Sequence, residues 1–239
     1  MGCLDRYPLV DQLLELVVRV VVLALLVWAG FTRLPLFRGL GLIMPRPPRI
    51  LEIVAGFSVL VSAVGSLWEW TPERGLAAAV QFTVGGLLLL RRPLRQQANS
   101  RQVLASLPAL LVGATGLAVA GPWGQWHMAS IVLFIIGVSI TVLSFLALGR
   151  SFGILPAARN PVTCGPYRCV RHPAYVGQLL MLTACGFSSS MIVGILLPLL
   201  IIPLLVLRIR AEEQLLVGNW LDYRVYTQRV RWRMCPLVW

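Results

Sequence analysis

The sequence predicts an all-α, polytopic transmembrane helical bundle of about seven hydrophobic segments, the last two a tight hairpin, with a polar site at one membrane face. Three observations carry this. The chain of 239 residues is 58% hydrophobic and 13% charged, with a mean hydropathy of +0.80, far more apolar than a soluble domain of that length. Its apolar runs are continuous, as over 192–207, and lack the alternation a β-barrel strand needs. Backbone groups in lipid must also pair internally, so such runs are helices.

The segments fall at 13–31, 50–68, 76–90, 103–120, 129–148, 175–190 and 192–207. A helix needs roughly 20 residues to cross a bilayer, with a range of about 17–25. The first, second, fourth and fifth satisfy this, and the third is short. The last two are joined by Ser188-Ser189-Ser190, and Pro198 and Pro203 are expected to kink the second arm. Glu15 and Arg19 stand four apart on the first helix and read as an intrahelical pair that eases insertion. Gly85-Gly86 and the Gly113/Gly116 pair read as close-packing positions. Trp68, Trp70, Trp123 and Trp126 gather at helix ends as an aromatic belt, with His127 beside them as an interfacial residue.

Arginine placement orients the bundle. All 21 basic residues are Arg, and the net charge is +12. Eighteen of the 21 lie in 32–49, 91–102, 149–174 and 208–239, whereas the loops 69–75 and 121–128 hold only Arg74. The positive-inside rule then puts the N-terminus outside and 149–174, with the C-terminal tail, in the cytoplasm. Because topology accounts for the charge, the expected partner is membrane lipid and no nucleic acid.

The five cysteines, Cys3, Cys164, Cys169, Cys185 and Cys235, form no CxxC pair, and the two histidines, His127 and His172, fall in loops of opposite side. No metal site is expected from that pattern. Met1-Gly2-Cys3 hints at lipidation, but Arg6 stands where a myristoylation signal needs Ser or Thr. No cleavable signal is evident, since acids precede a long first apolar stretch.

Chemistry concentrates in two polar stretches flanking the last hairpin. The first, Gly149 to Gly177, contains Leu148-Gly149-Arg150 at its entry, Val162-Thr163-Cys164-Gly165-Pro166-Tyr167, and Arg171-His172-Pro173-Ala174-Tyr175-Val176-Gly177. The second opens with Arg208-Ile209-Arg210-Ala211-Glu212-Glu213 and continues through Tyr223, Tyr226 and Arg229 to Trp239. The hairpin returns its ends to one side, so the stretches should meet. In a chain of only nine acids, two adjacent carboxylates there are unusual. The plainer reading is that Glu212 and Glu213 only pair with Arg208 and Arg210 at a helix end.

In order and spacing these motifs resemble the isoprenylcysteine carboxyl methyltransferase and phospholipid N-methyltransferase family of integral membrane enzymes, over roughly residues 129–239. Asn219-Trp220 stands where the family has Phe-Gly, and the spacing from the acid pair to Tyr223 is one residue short. Which glutamate carries the family role therefore stays open. Residues 1–128 have no equivalent in small family members and read as a divergent addition of N-terminal transmembrane helices, for substrate entry or assembly.

The resemblance implies S-adenosylmethionine as cofactor, held at the cytoplasmic face by Val162, Gly165, Pro166, Tyr167, Arg171, His172, Pro173, Tyr175, Glu212 and Glu213. A carboxylate suits its ammonium or ribose hydroxyls. Histidine and backbone N–H groups near Gly165 suit its carboxylate or adenine edge, and Arg171 is the alternative carboxylate partner. Tyr167 and Tyr175 suit the adenine face or the sulfonium. Glu212, Glu213 and Arg229 are the expected catalytic residues, and Tyr223, Tyr226 and Arg229 are expected to face a lipophilic or small-molecule methyl acceptor. An Arg229 that merely anchors phosphate headgroups is the rival reading for that residue. For the whole chain the rivals are an NADPH-dependent sterol-type ene reductase on a related architecture, and a non-catalytic membrane scaffold.

Overall fold

The computed structural model describes residues 49–68, 71–90, 96–97, 120, 123–153, 157–158, 161–236 and 239. The expected segment 13–31, with Glu15 and Arg19, and the segment 103–120 apart from Ala120, with Gly113 and Gly116, lie outside them. The described chain is helical. Its strand content is one two-residue antiparallel pair, Gln96 opposite Ala158 and Gln97 opposite Ala157. Two compact units are present, Met1–Leu90 and Arg91–Trp239.

In the first unit, α1 (Arg49–Trp68) and α2 (Pro72–Leu90) form a hairpin. Pro72 opens α2, where its missing N–H costs nothing, and Glu73 in the first turn complements the helix dipole. The helices touch where side chains are absent: a Cβ on Gly85 would meet Leu60 at 2.8 Å and the Gly56 carbonyl at 3.0 Å, and one on Gly56 would meet Leu89 at 2.9 Å. Gly85 is thus the packing position the sequence suggests, while a Cβ on Gly86 would meet nothing within 4 Å. Near the other end Gln81 bridges the helices, its Nε2 donating to Ser62 Oγ at 3.4 Å and its Oε1 accepting from Ser66 Oγ at 3.3 Å. Phe57, Val61 and Val64 are exposed, which suits lipid and not water.

The second unit contains α3 (Met128–Leu148), α4 (Pro173–Ser189), α5 (Met191–Asn219) and α6 (Leu221–Arg229). The buried stripe of α3 is Ser130, Phe134, Gly137, Val138, Thr141, Ser144 and Phe145, the three-and-four spacing of one helix face. Thr141 and Ser144 donate to the carbonyls of Gly137 and Ile140, so the stripe buries no unmet hydroxyl there. It meets α4 at Gly177, where a Cβ would collide with Thr141 Oγ1 and lie 2.6 Å from the Gly137 carbonyl. Trp126 departs from the belt expectation: it is buried edge-on against Phe134, with ring centroids 5.4 Å apart, whereas Trp68 is exposed.

Ser190 alone joins α4 to α5, accepting from the Val193 N–H at 3.2 Å as an N-cap. Gly186 and Gly194 let the arms meet; a Cβ on Gly186 would lie 2.9 Å from the Gly194 Cα. The tight hairpin is as expected. Its second arm is longer than the apolar stretch 192–207 and continues without a break to Asn219, through both Pro198 and Pro203. The extension follows from good helix formers such as Ala211, Glu212, Glu213, Gln214 and Leu215, and from an Arg208–Glu212 pair one turn apart. Among the described residues, Pro72–Leu90, Met128–Ser151 and Met191–Asn219 are long and apolar enough to cross a membrane, and Ile53–Trp68 is a shorter apolar helix.

Candidate active site

The first polar stretch is shaped by glycines and prolines. Gly149 (φ 48°) ends α3, its N–H bonding to the Phe145 carbonyl, and Gly165 (φ 59°) starts a single 3-10 turn, Gly165–Arg168. Both φ values lie in the left-handed region that favours glycine. Pro166 presets the turn, which buries Tyr167. Arg171 and His172 then run against the tail: their backbone N–H groups donate to the carbonyls of Trp232 (2.9 Å) and Arg233 (2.8 Å). Pro173 opens α4, where no donor is lost, and His172 precedes it at the cap position.

The extension of α5 lays Glu212 and Glu213 against that cap. Glu213 Oε1 pairs with Arg171 Nη1 at 2.9 Å and with His172 Nε2 at 3.3 Å, and Glu213 Oε2 accepts from Arg233 Nε at 2.7 Å. Arg171 Nη2 also donates to the Arg231 carbonyl at 3.1 Å. Glu212 takes other partners: its Oε1 accepts from the Tyr175 hydroxyl at 2.5 Å and lies 3.5 Å from Arg208 Nε, while its Oε2 stands 3.9 Å from His172 Nδ1. Arg208 Nε donates to the Tyr175 oxygen at 2.6 Å, and its guanidinium lies over the Tyr175 ring. The His172 and Tyr175 rings stack, with centroids 5.7 Å apart. From α6, Tyr226 donates to the Tyr167 carbonyl at 2.6 Å, joining the second stretch to the Gly-Pro-Tyr turn.

Glu213 lies beyond the apolar part of α5. Burial pushes its carboxyl up, but hydrogen bonds from His172 and Arg233, and the positive charge of Arg171, outweigh that and hold it below the usual carboxylate range. Burial pushes the Tyr226 phenol up to about 12, with Arg171 opposing and Glu213 adding. Burial likewise raises Tyr167 and Tyr223. These phenols therefore stay protonated at neutral pH.

Of the residues singled out in the sequence, the structure brings Arg171, His172, Tyr175, Glu212 and Glu213 into one hydrogen-bonded cluster. Pro173 adjoins the cluster, and Gly165, Pro166 and Tyr167 form the turn that Tyr226 holds. Val162 is half-buried at the approach to that turn. Tyr223 is buried beside Tyr226, with ring centroids 5.5 Å apart. Arg229 stands apart: it is exposed at the end of α6, with no hydrogen bond or ion pair to the described residues.

Two residues of the cluster lie outside the expected site set. Arg208 carried a signal, its position one helical turn before Glu212. Arg233 had no local signal, because its pairing depends on the tail folding back. The plainer reading of the acid pair is half right: Arg208 does pair with Glu212, but Arg210 is exposed and Glu213 is held from outside the helix.

Whether a polar cofactor fits can be judged from buried atoms without partners. Among the described residues the Tyr223 hydroxyl and Arg171 Nε are both buried and make no hydrogen bond. Leaving such atoms unmet costs about 1–3 kcal/mol each, so they suit a polar ligand that meets them. Donors, acceptors and aromatic faces in one cluster match a molecule with ammonium, carboxylate, hydroxyl and purine groups.

Residues 126–221 match the family described as phospholipid methyltransferase. The match includes the α4 cap and the acid pair but ends before Tyr223, Arg229 and Arg233. No curated protein and no solved structure matches the chain.

Proposed function

We infer, from a chain whose residues 126–221 match the phospholipid methyltransferase family, that it uses S-adenosylmethionine to methylate a lipophilic or small carboxylate, thiol or amine at the cytoplasmic membrane face. One observation carries the reading: α5 continues out of its apolar stretch and sets Glu212 and Glu213 against the Arg171-His172-Pro173 cap of α4. A helix that only spanned lipid would have no use for that cluster, because buried charge is expensive unless it is organised for a task. Residues 129–239 are proposed as the methyltransferase core and 1–128 as the added helices, with the N-terminus outside.

Arg171, His172 and Glu212 hold the cofactor's polar groups, and Tyr167 and Tyr175 supply aromatic surface to its purine or sulfonium. When bound, the cofactor supplies an electrophilic methyl on a positive sulfur. The protein then has to fix an acceptor in line and exclude water. The apolar sides of α4 and α5 admit an acyl or prenyl chain from the bilayer. Arg229, exposed at the end of α6, orients an anionic acceptor group, with Tyr223 and Tyr226 on the same helix as further acceptor-site residues. An amine acceptor must lose a proton before it can attack, whereas a carboxylate or thiolate acceptor need not.

Tritium-methyl transfer to a panel of prenylated thiols, fatty acids and ethanolamine lipids tests the reading. Transfer to at least one class is expected. Arg229→Lys keeps the charge but loses the planar fork, so it should bind cofactor and transfer methyl more slowly, while Arg231→Lys behaves like the parent. Full turnover by Arg229→Lys would remove that residue from the acceptor site.

A further inference from the structure

We propose that the two adjacent glutamates do different work: Glu212 Oε2 and His172 Nδ1 together receive the ammonium of the cofactor's amino-acid end, whereas Glu213 fastens the 230–239 tail and touches no ligand. The ligand half of this rests on the adenosylmethionine reading above. Consecutive residues on an α-helix point about 100° apart, so neighbours need not face one site.

Glu213 has both oxygens committed. Arg171 and His172 take Oε1 and Arg233 takes Oε2, with the side chain only 9% exposed. Two guanidiniums around one carboxylate leave that spot net positive, which repels an incoming ammonium. The backbone repeats the fastening: Arg171 and His172 donate to Trp232 and Arg233, and Arg233 donates to the Trp239 carbonyl at 2.9 Å. The Arg233 guanidinium also lies over the Trp239 ring, 5.1 Å from its centroid. Glu213 is therefore the pin of a clasp between the α4 cap and the tail.

Glu212 is held differently. Tyr175 and Arg208 fix its Oε1, and its Oε2 is left with His172 Nδ1 at 3.9 Å, too far for a hydrogen bond. The ring hydrogen that Glu213 accepts sits on His172 Nε2, so in the neutral ring Nδ1 presents a lone pair. Two acceptors then face each other across 3.9 Å, and an ammonium seated to one side of that gap can donate a separate hydrogen to each. The single guanidinium near Glu212 leaves that spot neutral and open to a cation, and the side chain is 21% exposed, against 9% for its neighbour.

The test uses the full chain in detergent and two ligands. S-adenosylhomocysteine carries the ammonium, and 5′-methylthioadenosine keeps the purine and ribose but lacks it. Glu212→Gln should weaken the first roughly tenfold to a hundredfold and the second by no more than about twofold. Amide exchange over 168–174 and 230–236 should not change in that variant. Glu213→Gln, and Arg233→Ala as a second route should the first not fold, should speed exchange in both segments and weaken the two ligands equally, if at all. Selective loss of S-adenosylhomocysteine in Glu213→Gln, with exchange unchanged, overturns the proposal. Equal loss of both ligands in Glu212→Gln overturns the ammonium assignment, because the ribose would then be its partner. Should the parent bind neither compound, the cofactor reading fails and the ammonium assignment with it, while exchange still decides the role of Glu213.

Discussion

Arg233 Nε donates to Glu213 Oε2 at 2.7 Å across twenty residues of sequence, and this bond turns a basic tail into part of the site wall. Tail arginines next to a membrane usually face headgroups, and Arg231 is exposed in that way. Arg233 instead shares a carboxylate with Arg171. Arg233→Ala should therefore destabilise the protein in detergent by about 1–2 kcal/mol, discounted because the guanidinium is partly exposed. Arg231→Ala should leave the unfolding midpoint unchanged. Equal midpoints for the two variants would remove the clasp.

The α3–α4 contact has no room for a side chain at Gly177. Gly177→Ala should lower thermal stability by about 1–3 kcal/mol, since a Cβ there strikes Thr141 and the Gly137 backbone, and backbone cannot move aside cheaply. Gly86→Ala is the matched control, where an added Cβ meets nothing within 4 Å. Midpoints that fail to separate these variants contradict the packing.

Much of this architecture was legible in the sequence, for identifiable reasons. Continuous apolar runs can only be helices in lipid, and Ser188-Ser189-Ser190 between two such runs marks a turn. The cluster of His172, Glu212 and Glu213 was legible because the hairpin must bring its ends together. Two features were not. The extension of α5 to Asn219 was hidden because hydropathy ends at 207 although helix propensity does not. The tail clasp was hidden because Arg233 looks like every other arginine until Trp232 and Arg233 meet the backbone of Arg171 and His172. Trp126 was read from its position beside a helix end, and only tertiary packing shows its ring buried against Phe134.

Alkaline titration reports on the Tyr226–Tyr167 link. Burial raises the Tyr226 phenol from its ordinary value near 10 to about 12. An acid group with a raised folded pKa contributes stability that is fully present below the unfolded pKa and lost as pH rises through the folded one. Stability should therefore fall between about pH 10 and 12. The difference between parent and Tyr226→Phe in tyrosinate absorbance should show one group titrating near 12. A difference spectrum centred near 10 would mean that the phenol is open to water.

Orientation is tested by single cysteines in a cysteine-free background. Gln125 and Asn219 are both exposed at opposite expected faces. Only a cysteine at Gln125 should react with an impermeant reagent added outside. External labelling at both positions, or at Asn219 alone, contradicts the arginine-based topology.

The central claim is that the cluster at the α4 cap and the α5 extension binds S-adenosylmethionine. Titration calorimetry on the purified protein in detergent, with adenosylmethionine and NADPH in separate runs, addresses it most directly. The account predicts saturable heat with adenosylmethionine, lost or weakened roughly tenfold or more in His172→Ala, and none with NADPH. Saturable binding of NADPH in place of adenosylmethionine, or of neither compound by a folded protein, would contradict it.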